Sequence, residues 1–341
     1  MSRKNRARTL GVAAFAAALT MTMTGCLGGG AGGGAMAEGG EVTLRLATTQ
    51  TKDAPENLGL WRIVEKLEED APWITIEYVG GPEAITPNDA AENVQSGALD
   101  LANVSSAYYT QILPEAEVFD LTPNQPAEDR ENGALDLINE WHEEVGLHVL
   151  GATISDMAYM LHFGDRWPEI DLENPDLSGW LMRGGPTQQP MLEALGAEVV
   201  NMPVGEIYTA MERGTIDGFA AGNTGMYALG IAEPIQASYR APYLTIRYPL
   251  LMNLDTWNSL DERSQEALTD AVAEVERELP EIYGPIIEEE YAQWESEGKE
   301  QLLPTEAGIE RFQQQARDIG WDLLEARVPR AAEVRAFYEG N

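Results

Sequence analysis

The chain has 341 residues, a length typical of about two domains. Its 57 Asp and Glu residues outweigh 22 Lys and Arg, giving a formal net charge of −35. So acidic a chain excludes nucleic acid as a partner, because it repels a polyanion. Its single Cys excludes an internal disulfide and a Cys-based zinc site, and 44% apolar residues exclude global disorder.

The N-terminus has the pattern of an export signal. Four basic residues precede an apolar run from Leu10 to Met23, which is shorter than the roughly 20 residues of a membrane span. The run ends at Thr24-Gly25-Cys26, which resembles a bacterial lipobox. We therefore predict a lipoprotein signal peptide at 1–25 and lipidation of Cys26, rather than an ordinary buried Cys. The segment 26–41 is rich in glycine and is predicted to be a tether. Without the leader's basic residues the net charge is −39.

From residue 42 onward, segments typical of strands alternate with segments typical of helices. This alternation favours an α/β fold with largely parallel sheets, whose ligand crevices lie beyond the carboxyl ends of the strands. Strands are predicted at 42–48, 73–79, 99–104, 146–151, 180–183, 197–200 and 216–219, and the first helices at 57–69 and 89–96.

The C-terminal third is predicted to be helical. Ser259 to Glu262 fits a capping box with Ser259 as the N-cap, followed by a long apolar stripe. Pro280 and Pro285 are expected to kink or interrupt that helix, and Thr305 is expected to cap another.

Catalytic motifs were sought, and the sequence contains no nucleophile elbow, phosphate-binding loop or metalloprotease helix signature. Paired carboxylates carry little information in so acidic a chain. The pattern therefore disfavours an enzyme.

Three consecutive motifs are specific in their order and spacing. Leu-x-Gly-x-x-x-Arg occupies 177–183, and Leu-Gly-Ala occupies 195–197. Pro-x-x-Glu-x-Tyr-x-Ala-Met-x-x-Gly-x-Ile-Asp-Gly occupies 203–218. Together they resemble the DctP-type substrate-binding proteins of tripartite ATP-independent periplasmic (TRAP) transporters, and the resemblance extends over almost the whole chain beyond the leader.

The resemblance implies a two-lobed periplasmic-binding-protein-like fold, with parallel-rich sheets flanked by helices and a long kinked C-terminal helix crossing the lobes. By this resemblance, lobe one comprises 42–150 and 240–279, and lobe two comprises 151–239 and 280–341. A ligand cleft lies between the lobes, and closure on the ligand is read by the membrane permease.

Arg183 is the principal predicted binding residue. In the family that this chain resembles, the Arg at this place pairs with a ligand carboxylate. A guanidinium offers two parallel N–H donors that match a carboxylate. From the sequence alone, a surface ion pair is the alternative.

The chain also departs from the family pattern. A second Arg, common after Leu-Gly in the family, is replaced here at about Ala158. One Arg with aromatic walls suits a monocarboxylate or a zwitterion better than a dicarboxylate, and a zwitterion is not repelled by the acidic chain.

Further predicted ligand-binding residues follow strands or match the motifs. Gln50 follows the first predicted strand, and Ser105, Tyr108 and Tyr109 follow the third. The remaining three are Tyr208, Asn223 and Trp180. Core packing is the alternative for the aromatic residues, whereas a polar ligand contact is predicted for Asn223 in place of the missing family group.

The sequence thus predicts an extracytoplasmic, lipid-anchored solute-binding protein. It takes a small carboxylate or zwitterion without a cofactor or metal and delivers it to the membrane subunits of a TRAP permease. The alternatives are a lipid-anchored exported hydrolase and a ligand sensor for a membrane receptor.

Overall fold

The computed structural model of the protein describes residues 39–338; Cys26, the predicted signal peptide and most of the predicted tether lie outside them. Eleven strands and eleven helices fall within this range. The strands are β1 Val42–Thr48, β2 Ile74–Gly80, β3 Leu101–Asn103, β4 Leu147–Ala152, β5 Ala158–Phe163, β6 Leu181–Arg183, β7 Glu198–Val200, β8 Gly218–Gly222, β9 Ala237–Thr245, β10 Pro249–Asn253 and β11 Glu300–Leu302. The helices are α1 Leu58–Asp70, α2 Ala90–Gln95, α3 Val118–Leu121, α4 Pro126–Glu131, α5 Ala134–Glu143, α6 Gln189–Ala194, α7 Val204–Glu212, α8 Leu254–Ser259, α9 Glu262–Ser296, α10 Glu306–Arg327 and α11 Ala331–Tyr338.

The strands form two sheets, as the two-lobed fold class requires. The first sheet has the order β2-β1-β3-β10-β4, and the second has the order β11-β9-β5-β8-β6-β7. The predicted strands are all present. β5, β9, β10 and β11 were not predicted, and the domain boundary predicted at residue 240 falls inside β9.

Parallel and antiparallel pairs occur in both sheets. β1 is parallel to β2 and β3, and β6 is parallel to β7 and β8. The antiparallel pairs are β10 with β3 and β4, and β5 with β8 and β9. The chain passes from β4 to β5 into the second sheet and returns from β9 to β10, so the strands beside these two crossovers run in opposite directions.

The two crossovers, 153–157 and 246–248, are hydrogen-bonded to each other. The Thr153 amide donates to the Tyr248 carbonyl at 3.0 Å, and the Ile246 amide donates to the Met157 carbonyl at 2.8 Å. Arg247, only 2% exposed, donates to the carbonyl of Ile154 at 3.1 Å. The crossovers thus form a short paired strap between the sheets.

The long helix α9 packs against both sheets. Its N-terminal half contributes Leu268, Val275 and Leu279 to the core beside the first sheet. Its C-terminal half contributes Tyr291 and Trp294 to a core beside the second sheet. The prediction of a long C-terminal helix that crosses the lobes is therefore confirmed.

Two predicted details of α9 need correction. Asp261, not Ser259, is the N-cap, and its side chain accepts from the Ser264 amide at 3.0 Å. Ser259 instead ends α8, where its hydroxyl donates to the Thr256 carbonyl at 2.7 Å. α9 also runs without interruption through both of its prolines, so of the two predicted outcomes, a kink or an interruption, the interruption is wrong. Thr305 caps α10 as predicted, accepting from the Gly308 amide.

A buried ion pair ties α9 to the first sheet. Glu276 is 1% exposed and accepts from Arg130 Nε at 2.6 Å and from the Ala152 amide at 3.0 Å. Arg130 also donates to the Leu150 carbonyl at 2.6 Å. Removing one partner of such a pair is costly, because the other charge stays buried without compensation.

We therefore expect Arg130→Ala to lower the free energy of unfolding by about 3–5 kcal/mol, measured by urea denaturation. The control is Arg62→Ala, which removes a more exposed pair with Glu278 and should cost at most about 1 kcal/mol. Equal losses in the two variants would contradict the structural role given to Glu276.

Candidate functional site

A cavity of about 680 Å³ lies between the two sheets, next to both crossovers. Met157 and Tyr248 line it from the crossovers, Ser105 follows the first sheet, and Gly222 belongs to the second. Helix α10 contributes Leu323 near one side. The cavity therefore lies where the fold joins its halves, the usual place for a ligand site between domains.

The segment after β3 supplies one wall. Ser105 and Tyr108, both predicted as site residues, line the cavity. Ser105 precedes a 3-10 turn, Ser106–Tyr108, and Tyr108 is the last residue of that turn. Ser105 is 6% exposed. Tyr109, by contrast, lies in the core, where its hydroxyl is 3.0 Å from His142 Nε2, so its predicted ligand contact is not supported.

Three carboxyl groups that the sequence analysis did not select also line the cavity: Glu117, which is paired with the lining residue Arg327, and the two groups of Glu56 and Asp120. Glu56 lies in the turn before α1 and is half-buried, and burial raises its pKa. Asp120, in α3, is 4% exposed and accepts from Ser106 Oγ at 2.9 Å. Burial raises the pKa of Asp120 to about 7. In a chain with 57 acidic residues, no sequence signal distinguishes these two.

The second sheet supplies the opposite wall. Tyr159 in β5 lines the cavity, and burial raises its pKa well above the usual range, with a smaller contribution from the charge of Asp120. Asn223, a predicted site residue, also lines it. Its amide donates to the Asp156 carbonyl at 2.9 Å and accepts from the Ala158 amide at 3.2 Å, so Asn223 also fixes the crossover.

Arg183 is the last residue of β6, and Gly185, two positions further along the chain, lines the cavity. Its guanidinium donates to the Met202 carbonyl at 3.1 and 3.2 Å and to the Ala220 carbonyl at 3.4 Å. Burial lowers its pKa, and an electrostatic interaction with Tyr159 opposes that shift. In the described part of the chain, no ion pair within 4.0 Å joins Arg183 to a carboxylate. The alternative of a surface ion pair is thus wrong, although Arg183 is not itself a lining residue.

The other predicted site residues do not line the cavity. Gln50 is nearest, since its amide donates to the hydroxyl of the lining residue Tyr248 at 2.9 Å. Trp180 is buried against Phe163 and the guanidinium of Arg166.

Tyr208 lies on α7 and does not line the cavity. It is only partly buried and donates to Glu233 Oε2 at 3.0 Å. Its place in the motif at 203–218 is therefore explained by packing on α7 rather than by contact with the cavity.

Within residues 39–338, no cluster of three or more His, Cys, Asp or Glu side chains has the arrangement of a metal site. None of the helices in the same range is sufficiently long and apolar to cross a membrane.

The chain is similar to known solute-binding proteins. The model of the DctP family, bacterial extracellular solute-binding protein family 7, matches residues 47–322. A monocarboxylate 2-oxoacid-binding periplasmic protein of Nostoc sp. is 30% identical over 173 residues, which are 48% of this chain and 45% of the relative. The chain spans about half the length of the curated relatives it matches.

Two solved structures have the same fold. The first is a TRAP periplasmic solute-binding protein of Ochrobactrum anthropi with its C-terminus in the ligand pocket; it is 17% identical with a TM-score of 0.76, covering 88% of this chain and 95% of that one. The second is TeaA, the ectoine-binding protein of the TeaABC TRAP transporter, in its apo state. It is also 17% identical with a TM-score of 0.72, covering 87% of this chain and 97% of that one.

The chain therefore belongs to the DctP family of bacterial extracellular solute-binding proteins. This confirms the resemblance drawn from the three motifs. Family membership also indicates an extracytoplasmic location.

The raised pKa of Asp120 has a consequence for stability. Its pKa is about 7 in the folded chain against an ordinary value of 3.8, so the folded state binds an extra proton between these values. Stability from this group is therefore present at low pH and is lost as pH rises toward and through 7.

We expect Asp120→Asn to stabilise the ligand-free protein at pH 8, by at most about 4 kcal/mol, and to have little effect at pH 4. The Asn carbonyl still accepts from Ser106. Thermal melts from pH 4 to pH 8 measure this, with the exposed Asp136→Asn as the control. A stabilisation that does not grow with pH would count against a buried, uncompensated carboxylate.

Proposed function

We propose that this protein captures a small carboxylate-bearing or zwitterionic solute in the cavity between its two sheets and delivers it to a TRAP permease. The observation that carries the proposal is the cavity beside both crossovers, with the Arg183 guanidinium at the end of an adjoining strand and no carboxylate paired to it within residues 39–338.

Arg183 is suited to receive a ligand carboxylate. Its partly buried charge is balanced only by backbone carbonyls in the described part of the chain, and such a charge is costly unless an anion compensates it. In the proposal, the guanidinium reaches the ligand beside Tyr159, the lining residue with which it already interacts electrostatically. The names of the relatives support small organic solutes as ligands, since they include a 2-oxoacid-binding and an ectoine-binding protein.

The proposal includes two lobes that close on the ligand. Each lobe contains one sheet, and the paired crossovers 153–157 and 246–248 form the hinge. We place the second boundary at 246–248 instead of 240, because β9 lies wholly in the second sheet. The C-terminal helices 280–341 stay assigned to lobe two.

The proposed role is binding without catalysis, in keeping with a family of solute-binding proteins. No cofactor is part of the proposal. In this proposal the folded part remains at the outer face of the membrane through a lipid on Cys26, where the permease subunits are within reach.

The proposed role of Arg183 is tested by calorimetry with a solute that a thermal-shift screen of organic acids, amino acids and compatible solutes identifies. Two hydrogen bonds to a charged group contribute about 1.5–3 kcal/mol each, so Arg183→Ala should weaken binding at least about 100-fold.

The matched control is Arg213→Ala, on the exposed end of α7, which should leave the affinity unchanged. If Arg183→Ala binds as tightly as the native protein, the carboxylate site is elsewhere and the proposal is wrong.

Lipidation of Cys26 is tested by labelling cells with a palmitate analogue. The native chain should carry label and sediment with membranes, because an acyl chain adds hydrophobic burial in the bilayer. Cys26→Ser should be unlabelled and recovered in the soluble fraction. Label on Cys26→Ser, or a soluble native protein, would refute the anchor.

A further inference from the structure

Two carboxyl groups of the cavity form no ion pair in the part of the chain that the structure describes, although the charge of Arg247 opposes, as a minor effect, the raised pKa of Asp120. Glu56 and Asp120 both line the cavity. Within residues 39–338, no ion pair within 4.0 Å joins either carboxylate to a Lys, Arg or His. Asp120 is almost fully buried, and its one hydrogen bond to a side chain comes from the neutral hydroxyl of Ser106. A bound cation would compensate both groups.

Two tyrosine rings of the cavity lie within electrostatic reach of Glu56. Tyr108 and Tyr248 line the same cavity, and the charge of Glu56 raises the pKa of each, second to burial. Tyr248 is held in place by the hydrogen bond from Gln50 at 2.9 Å. Carboxylates together with the faces of aromatic rings are the chemistry that stabilises an ammonium group.

Ser105 shows independently that this wall is built for a polar ligand. Only 6% of the residue is exposed, and it lines the cavity. Its hydroxyl nevertheless has no hydrogen-bond partner in the part of the chain that the structure describes. Because this hydroxyl faces the cavity without a partner among the described residues, a ligand atom is expected to hydrogen-bond with it.

Arg183 lies at the end of β6 in the second sheet, behind the lining of the cavity. Tyr159 lines the cavity and interacts electrostatically with Asp120 and with Arg183. Asp120 and Arg183 are therefore both within electrostatic reach of one lining residue, and α3, which carries Asp120, packs against β9.

We propose that the ligand is a zwitterion whose amine or quaternary ammonium group is bound by Glu56 and Asp120 between Tyr108 and Tyr248, with its carboxylate toward Arg183. This deepens the proposed function and rests on it. A metal ion suits this wall less well, because two carboxylates fall short of the six or more oxygen ligands that a hard cation takes.

The test uses pairs of compounds of equal shape that differ in the cationic group. Glycine betaine is compared with 3,3-dimethylbutanoate, in which carbon replaces the quaternary nitrogen. 4-Aminobutanoate is compared with pentanoate, in which methyl replaces the ammonium. Calorimetry on the native protein should give, for at least one pair, an affinity for the zwitterion about 100-fold higher than for its carboxylate partner, which lacks the cationic group.

Variants then locate the cationic end. Glu56→Gln and Asp120→Asn should each weaken zwitterion binding at least about 10-fold and leave the affinity of the carboxylate partner nearly unchanged. Glu69→Gln, an exposed position on α1, is the matched control and should alter neither affinity. Asp120→Asn is expected to remain folded, so its result does not depend on stability.

The outcomes separate this inference from the proposed function. If a carboxylate binds as tightly as its zwitterion and still requires Arg183, the inference is wrong and the proposed function stands. If none of the four compounds binds, or if Glu56→Gln and Asp120→Asn bind the zwitterion as the native protein does, the inference is also overturned. If the native protein binds no carboxylate-bearing solute, or if Arg183→Ala binds one as tightly as the native protein does, the proposed function itself is overturned.

Discussion

The hydrogen-bonded pairing of the two crossovers is the constraint on which the rest of the molecule depends. It joins Thr153 to Tyr248 and Met157 to Ile246, and it sets the two sheets on either side of one cavity. The buried guanidinium of Arg247 reinforces the strap through the Ile154 and Asn124 carbonyls. Asp156 adopts a left-handed φ of 59° within the same strap, a conformation that costs energy for a residue other than glycine. The position of the site therefore follows from backbone bonds more than from any ligand-binding side chain.

Much of the fold follows from local sequence patterns, because alternation of apolar residues and helix caps act over a few positions. β1 and the cap at Thr305 are examples. The strands β5, β9 and β10 were missed, and their antiparallel pairing depends on where the chain crosses between the sheets. That choice is made by contacts between distant residues, which no short window contains.

The site was predictable only in part, for a similar reason. Motif spacing selected Arg183, which ends β6 but does not line the cavity, so its ligand-binding role stays a prediction. Tyr108 and Tyr109 are adjacent aromatic residues at one turn, and only the packing decides that the first faces the cavity and the second the core. Glu56 and Asp120 resemble every other acid in the sequence until burial distinguishes them. The pKa of a carboxyl group depends on its burial, so it can be assigned only when the three-dimensional structure is known.

The helix α9 has a mechanical consequence for a molecule with two cores. Its contacts with the first core extend to Ile286 and those with the other core begin at Ile287, so Pro285 lies just before the junction. A proline removes one rung of the helical hydrogen-bond ladder, so Pro280 and Pro285 lower the bending stiffness of α9 in the stretch before the junction. Any rotation of one core against the other must bend α9, and this stretch is where bending costs least.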